Sequence, residues 1–513
     1  MSAPGSIAWF AGHEARLAWR DWLSLMTAGQ RRRTRTVILG FLAYAVFMHG
    51  LATAMLAHSP TLAASGTPAG LAAITVSVGL TWSLMLSQAL ESATRAFYAR
   101  GDLDLILTSP VASWRLFAVR IASMSVTIAG MTLVLTAPFI NVAAWLAGPR
   151  LLFGYLLTLA LAMVAVALAV LMTVAMFQAI GPRRTRAVSQ VAAAIIGAGF
   201  VISMQFAAFA SYTTPNGAAV LPTGALLRLA PDMDNPVWWP ARAAFGDVGA
   251  LAALAGLAVL LLGAVILVFA PRFGRLALDT LRLAEAPARR GGGEAVFRSR
   301  TPGQALRRKE WTLLLRDPWL MSQTLMQLLY LAPAGFLLWR NFYAGTGSTA
   351  LLVPILVVTA GQLGGGLAWL AVSGEDAPEL IATAPVRQGR VLRAKVEAVL
   401  GGIALVFAPF LLLLATAAPF PALVTLAGIT VAAGSATAIQ YWFRTQAKRR
   451  LFRQRQTSSR IATFAEALSS IGWAGTFAMA ASGNPAAVVP GLFVLAMLTG
   501  TWLLSPARGP AAA

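Results

Sequence analysis

Two copies of a short block combine acidic, apolar and proline residues in a pattern that suits the docking of another protein. The first copy runs from Asp104 to Pro110 and the second from Glu379 to Pro385, at an offset of 275 residues. Apolar side chains ringed by charges on a loop are typical of a protein–protein contact. Acidic residues near a helix N-terminus also stabilise that helix, but this does not explain a Leu-Ile pair repeated at the same place. The candidate docking residues are Asp102, Asp104, Leu105, Ile106, Pro110, Arg115, Glu375, Asp376, Glu379, Leu380, Ile381, Pro385 and Arg390.

A second repeated block predicts an amphipathic helix in each half of the chain. Its shared residues are Glu14, Arg20 and Asp21 in the first copy and Glu310, Arg316 and Asp317 in the second. As a helix, the first copy places His13, Arg16 and Arg20 on one face and Trp19 and Trp22 on another. This distribution is typical of a helix that lies in the membrane interface. Such a helix either only anchors the chain or also docks a cytoplasmic partner through its polar face.

The sequence contains no pattern that predicts catalysis or a bound cofactor. It has no cysteine, which excludes thiolate chemistry and disulfides, and its three histidines form no ligand motif. A nucleotide-binding P-loop needs a lysine directly after glycine. The three lysines instead follow arginine or alanine, at Lys309, Lys395 and Lys448. The chain is therefore predicted to be no enzyme, and a membrane-embedded enzyme would also need clustered His, Asp or Glu.

The composition indicates whether these blocks belong to a soluble protein or to a membrane protein. The 513-residue chain is 58% apolar and 11% charged, with a mean hydropathy of +0.72, whereas soluble domains have about 25% charged residues. A soluble enzyme, a disordered chain and a disulfide scaffold are thereby excluded, and a polytopic membrane protein remains. The net charge of +22 is explained by basic loops that face anionic lipid, so no nucleic-acid partner is predicted.

Twelve apolar stretches reach the roughly 20 residues that a membrane span needs. Each is predicted to be helical, because lipid offers no hydrogen-bond partner to the backbone. The stretches are 37–57, 70–90, 117–138, 151–178, 188–210, 247–270, 322–340, 350–372, 394–418, 421–442, 461–481 and 488–505. The predicted fold is therefore all-α, with about 12 transmembrane helices.

The basic residues predict the orientation. With the N-terminus in the cytoplasm, 36 of the 40 basic residues fall in cytoplasmic segments, and only Arg150, Arg228, Arg242 and Arg340 remain outside. This asymmetry follows the positive-inside rule. The prediction is a multi-pass protein of a bacterial-type inner membrane, with both termini cytoplasmic and an uncleaved first helix.

The repeated blocks divide the chain into two parallel repeats of six spans. In both halves the helical block precedes the first span and the acidic block lies between the second and third. Because six is even, both halves enter the membrane from the same side. The predicted organisation is a first half at 1–270, a second half at 307–513, and a flexible cytoplasmic linker at 271–306 that is rich in glycine, proline and arginine.

Together, the Glu-x5-Arg-Asp helix, the acidic-Leu-Ile-x-Thr-x-Pro-Val loop and the six-span unit resemble the type-two permeases of ATP-binding-cassette (ABC) exporters. The chain is similar to a fused pair of such permeases. The resemblance implies that residues 6–26 and 306–318 are connecting helices, and that the loops at 102–110 and 375–385 are coupling helices that seat in ATPase subunits. It also implies two copies of that ATPase, which carry the ATP and Mg, and an exported substrate that is amphipathic, lipid-like, a drug or a peptide.

The outer connections before the last span differ between the halves. In the resembled family, this connection often holds a partly re-entrant segment. Residues 211–246, with their prolines and Trp238-Trp239-Pro240, fit that description, whereas the counterpart at 482–487 is only six residues long. A symmetric external gate is therefore not expected.

The alternative class is an ion- or proton-coupled secondary transporter with six plus six spans. Such a protein is expected to carry acids within the membrane, and Glu466 is the one candidate, about 9 Å of helix rise beyond Arg460. An interfacial position satisfied by water or a neighbour is the simpler interpretation of Glu466. Gly361 and Gly365, four residues apart, indicate a close helix contact rather than a site.

Overall fold

The protein is an all-α polytopic membrane protein. The computed structural model describes residues 6–27, 34–57, 67–98, 113–213, 232, 235–285, 301–316, 325, 328–329, 331–332, 352–373, 381, 383–443, 460–503 and 505, and contains no strand in these ranges. The chain divides into two compact units, a first unit at 1–291 and a second unit at 292–513. This boundary lies within the predicted linker, but residues 271–285 are helical and continue the last helix of the first unit.

The first unit is helical in most of its described residues. Its helices are α1 (Ile7–Thr27), α2 (Thr34–Leu56), α3 (Pro68–Tyr98), α4 (Ser113–Ala147), α5 (Gly154–Thr213), α6 (Trp239–Ala244) and α7 (Val248–Glu285). The long helix α5 is interrupted at Gly181, whose φ of 75° and ψ of 161° are non-helical. Glycine adopts a positive φ without strain, and Pro182 follows it, so α5 accounts for two predicted spans.

The second unit begins with the second copy of the amphipathic block. Its helices are α8 (Pro302–Arg316), α9 (Leu352–Ser373), α10 (Gln388–Ala417), α11 (Pro419–Trp442), α12 (Arg460–Ala481) and α13 (Val488–Leu503).

Within the described residues, nine helical segments are long and apolar enough to cross a membrane. They coincide with nine of the twelve predicted spans. Of the other three, 37–57 corresponds to α2. Its apolar segment, Tyr44–Leu56, is shorter than the 18 residues that a candidate span requires. The stretch 461–481 is the 22-residue helix α12, whose Glu466, Ser469 and Ser470 make it less apolar. Most of 322–340 lies outside the described residues.

The outer surfaces of these helices are apolar, as lipid contact requires. The most apolar span, Val248–Pro271, has only 22% of its most apolar stretch buried, and Leu260 and Leu267 are largely exposed. A helix that is apolar on all sides but not covered by protein is suited to hydrocarbon.

Each unit is built around its second predicted span. In the first unit α3 packs along α5, where the Ser87 hydroxyl donates a hydrogen bond of 2.7 Å to the carbonyl of Ala193. In the second unit α9 packs against α11 and α12, and a Cβ at Gly364 would lie 3.1 Å from the Cα of Ala433. Small residues let helix backbones approach closely. The helix contact predicted at Gly361 and Gly365 is confirmed, because side chains there would collide with Ser470 and Glu466 of α12.

Candidate functional site

The second predicted connecting helix, α8, is fixed to the bundle by a buried carboxylate. The helix starts at Pro302, a residue well suited to the first turn, and the backbone N–H of Gln304 donates a hydrogen bond to the Thr301 hydroxyl. Its contacts are with α10 and α9. Glu310 on the inner face of α8 is only 1% exposed.

Lys395 of α10 joins three helices at this carboxylate. Its Nζ lies 3.2 Å from Oε2 of Glu310 and also donates a hydrogen bond to the carbonyl oxygen of Ala371. Ala371 lies in the last turn of α9, where carbonyls lack intrahelical partners. Lys309 approaches the other oxygen of Glu310 at 3.3 Å. We call Glu310, Lys395 and the Ala371 carbonyl the Lys395 junction; it ties α8 to α9 and α10.

An exposed charge cluster continues this contact toward solvent. Arg307 of α8 donates to both oxygens of Glu397, at 2.5 and 3.2 Å, and Arg393 donates to the same carboxylate at 2.9 Å. The hydrogen bond that it donates to Glu397 raises the pKa of the Arg307 guanidinium above its ordinary value. Because exposed ion pairs contribute little free energy, this cluster orients α8 while the Lys395 junction anchors it.

The Lys395 junction lies at the base of the second predicted coupling loop. Helix α9 ends at Ser373 and α10 begins at Gln388, so the junction holds both helices that flank the loop. Of the predicted docking residues here, Ile381 is half-buried, whereas Pro385 and Arg390 are exposed. Residues Glu375, Asp376, Glu379 and Leu380 lie outside the described residues. Tight turns follow Ile381, whose carbonyl accepts a hydrogen bond from the Ala384 N–H at 3.3 Å.

The first unit presents its matching residues differently. Glu14 is half-buried on α1 and Arg20 is exposed, and Glu14 makes no ion pair with any described residue. Arg115 is exposed near the start of α4, with its guanidinium 5.6 Å from the centre of the Trp114 ring. The docking residues Asp102, Asp104, Leu105, Ile106 and Pro110 are not among the described residues, and neither is Asp317. The structure describes the backbone of Asp21 and Arg316 as helical.

A further repeat at the predicted outer ends of the helices is missed by the sequence analysis. Asn235 and Asn484 each precede a proline and a one-turn 3₁₀ helix just before the last span of their unit. The side-chain oxygen of each accepts a hydrogen bond from the N–H two residues on, at 3.0 Å in both. The signal was visible as an Asn-Pro pair in the same topological slot.

Two polar contacts between buried or half-buried side chains join helices within the units. In the first, Tyr155 donates to Asn141 at 2.8 Å, and the Asn141 amide lies 3.2 Å from Nε2 of His49. In the second, Gln440 of α11 donates to Glu466 of α12 at 2.6 Å. The sequence singles out Glu466 as a candidate acid within the membrane, but neither its partner Gln440 nor the contact between His49 and Asn141 follows from a sequence pattern.

The described residues contain no group of His, Cys, Asp and Glu suited to a metal ion. Comparison with known proteins finds no matching family model, no similar curated protein and no similar solved structure. The chain is an all-α, multi-pass membrane protein.

Proposed function

We propose that the chain is the membrane permease of an ABC exporter, with both six-span halves in one polypeptide. The observation that carries the proposal is the Lys395 junction, which ties the second connecting helix to the two helices flanking a predicted coupling loop. A force applied to that loop would pass along the chain into α9 and α10, and the buried ion pair and the hydrogen bond of Lys395 would couple it to α8.

In this proposal ATP and Mg bind to separate ATPase subunits, two copies of which would engage the loops around Leu105 and Leu380. Closure of the ATPase pair would draw the loops together, and the helices would alternate access between the two sides of the membrane. Interior polar groups are few, so an amphipathic or lipid-like compound, a drug or a peptide is the proposed substrate class.

The proposal is tested by breaking the predicted docking surface. The double variants Leu105→Asp/Ile106→Asp and Leu380→Asp/Ile381→Asp are compared with Ser482→Asp, an exposed position in the turn before the last span. Each is co-expressed with an ABC ATPase, for which a Walker-motif protein encoded in a neighbouring reading frame is the first candidate. We expect the double variants to remain folded and to lose co-purification of the ATPase, and the control to retain it.

Unchanged co-purification of both double variants would contradict the docking assignment. A second measurement separates the two transporter classes. Substrate movement in vesicles that needs ATP and the ATPase subunit supports the exporter, whereas movement that follows a proton gradient without the ATPase would favour a secondary transporter.

A further inference from the structure

Glu466 is half-buried in the second unit, where groups from two other helices hold its carboxyl group. Its Oε2 accepts a hydrogen bond of 2.6 Å from the Gln440 amide of α11. Its Oε1 occupies the space left by the absent side chain of Gly365 on α9. The carboxyl group is thus part of the packing between α9, α11 and α12 rather than a group free to turn toward water.

Among the described helices that pack around Glu466, no basic residue compensates a charge at this position. Helices α9, α11 and α13 and the turn at Pro485–Ala487 pack against α12 and contain no Lys, Arg, His, Asp or Glu. The one other titratable side chain on these elements is Tyr441 of α11. On α12 itself the nearest charged residue is Arg460, six positions earlier.

Within the part of the chain that the structure describes, a carboxylate here would be stabilised by one neutral amide donor, that of Gln440. An uncompensated charge in a low-dielectric interior is strongly unfavourable, and the usual response is to bind a proton. A protonated carboxyl keeps the Gln440 hydrogen bond on its carbonyl oxygen and removes the charge.

We propose that Glu466 is a proton-binding site, occupied while α9, α11 and α12 are packed together and emptied when α9 and α12 separate. Because Oε1 fits against the backbone at Gly365, full hydration of an ionised carboxylate requires these two helices to move apart. Proton release and separation of α9 from α12 are therefore thermodynamically linked. The buried Ser469 hydroxyl, one turn along α12, has no hydrogen-bond partner among the described residues and provides a polar group for the entering water.

Infrared spectroscopy of the full chain in lipid nanodiscs tests the site without any ATPase subunit. Exposed carboxyl groups titrate near pH 4, so spectra are recorded from above that range to alkaline pH. We expect a carbonyl band of a protonated carboxylic acid near neutral pH that disappears on alkalinisation. The band should be lost in Glu466→Gln and retained in Glu91→Gln, which removes an exposed acid paired with Arg95. Absence of the band in the wild type, or its persistence in Glu466→Gln, would overturn the proposal.

The linked movement is measured with spin labels, since the chain contains no native cysteine. Gln362→Cys on α9 and Ile471→Cys on α12 place labels at exposed positions. We expect the distance between them to increase when the pH is raised in the wild-type background and to stay constant with Glu466→Gln. A distance independent of pH in the wild-type background would refute the linkage even if Glu466→Gln failed to fold.

Discussion

The two predicted connecting helices, α1 and α8, share a sequence block but are attached to their units in different ways. Glu310 of α8 is buried and paired with Lys395, whereas the matching Glu14 of α1 is half-buried and makes no ion pair within the described residues. At the offset of the acidic loops, the position that matches Lys395 is Arg120, and Arg and Lys are not interchangeable at a compact buried pair. The block thus predicts a helix, while a residue from another helix decides how it is anchored.

The largest loss of stability is expected when the lysine of the Lys395 junction is removed, because α1 has no matching contact among the described residues. Lys395→Met retains the apolar stem but removes the buried partner of Glu310, and the described ionic contact that remains is the one to the partly exposed Lys309. We expect the free energy of unfolding to fall by about 3–5 kcal/mol, the usual loss when one partner of a buried pair is removed. Chemical denaturation in detergent, followed by circular dichroism, measures the change.

The matched control is Lys309→Met, which removes a partly exposed lysine that contacts the same carboxylate. Its expected effect is below about 1 kcal/mol. Adding Glu310→Gln to Lys395→Met should restore part of the lost stability, since the buried charge is then gone. Equal effects of the two lysine variants would show that burial of the Lys395 junction does not anchor α8.

The Asn-Pro turns before the last span are alike in the two units. Removing their asparagine side chains is expected to have an effect of intermediate size on stability. Asn235→Ala and Asn484→Ala each remove an oxygen that accepts a backbone hydrogen bond at the start of a 3₁₀ turn. We expect each change to lower the free energy of unfolding by about 1 kcal/mol. The same denaturation assay applies, with Asn235→Asp and Asn484→Asp as variants that keep the acceptor. A loss confined to one unit would mean that the turns are not equivalent.

The smallest effect is expected at Glu14. Because this carboxylate has no ionic partner among the described residues, Glu14→Gln should change the free energy of unfolding by no more than about 0.5 kcal/mol. The thermal midpoint of the purified chain is a suitable measurement. A loss as large as that of Lys395→Met would reveal a buried partner for Glu14 and remove the contrast between α1 and α8.

Much of the fold could be predicted because the membrane restricts the choices. Long apolar stretches must form helices in lipid, and nine of the predicted spans are confirmed as helices of suitable length. The contact at Gly361 and Gly365 could also be predicted from small residues four positions apart. The site was less predictable: Glu310 was identified through its repeat, but its burial and its partner were not.

The sequence by itself determined the all-α membrane architecture and the two pairs of repeated blocks, because hydrophobic length and spacing are local properties. The tertiary structure alone decided that Lys395 meets Glu310, 85 positions earlier, and the carbonyl of Ala371. It also decided that Glu466 turns toward Gln440 and Gly365. A helix that is apolar on nearly all sides carries little periodic signal for its inward face, so these partners depend on how the helices cross.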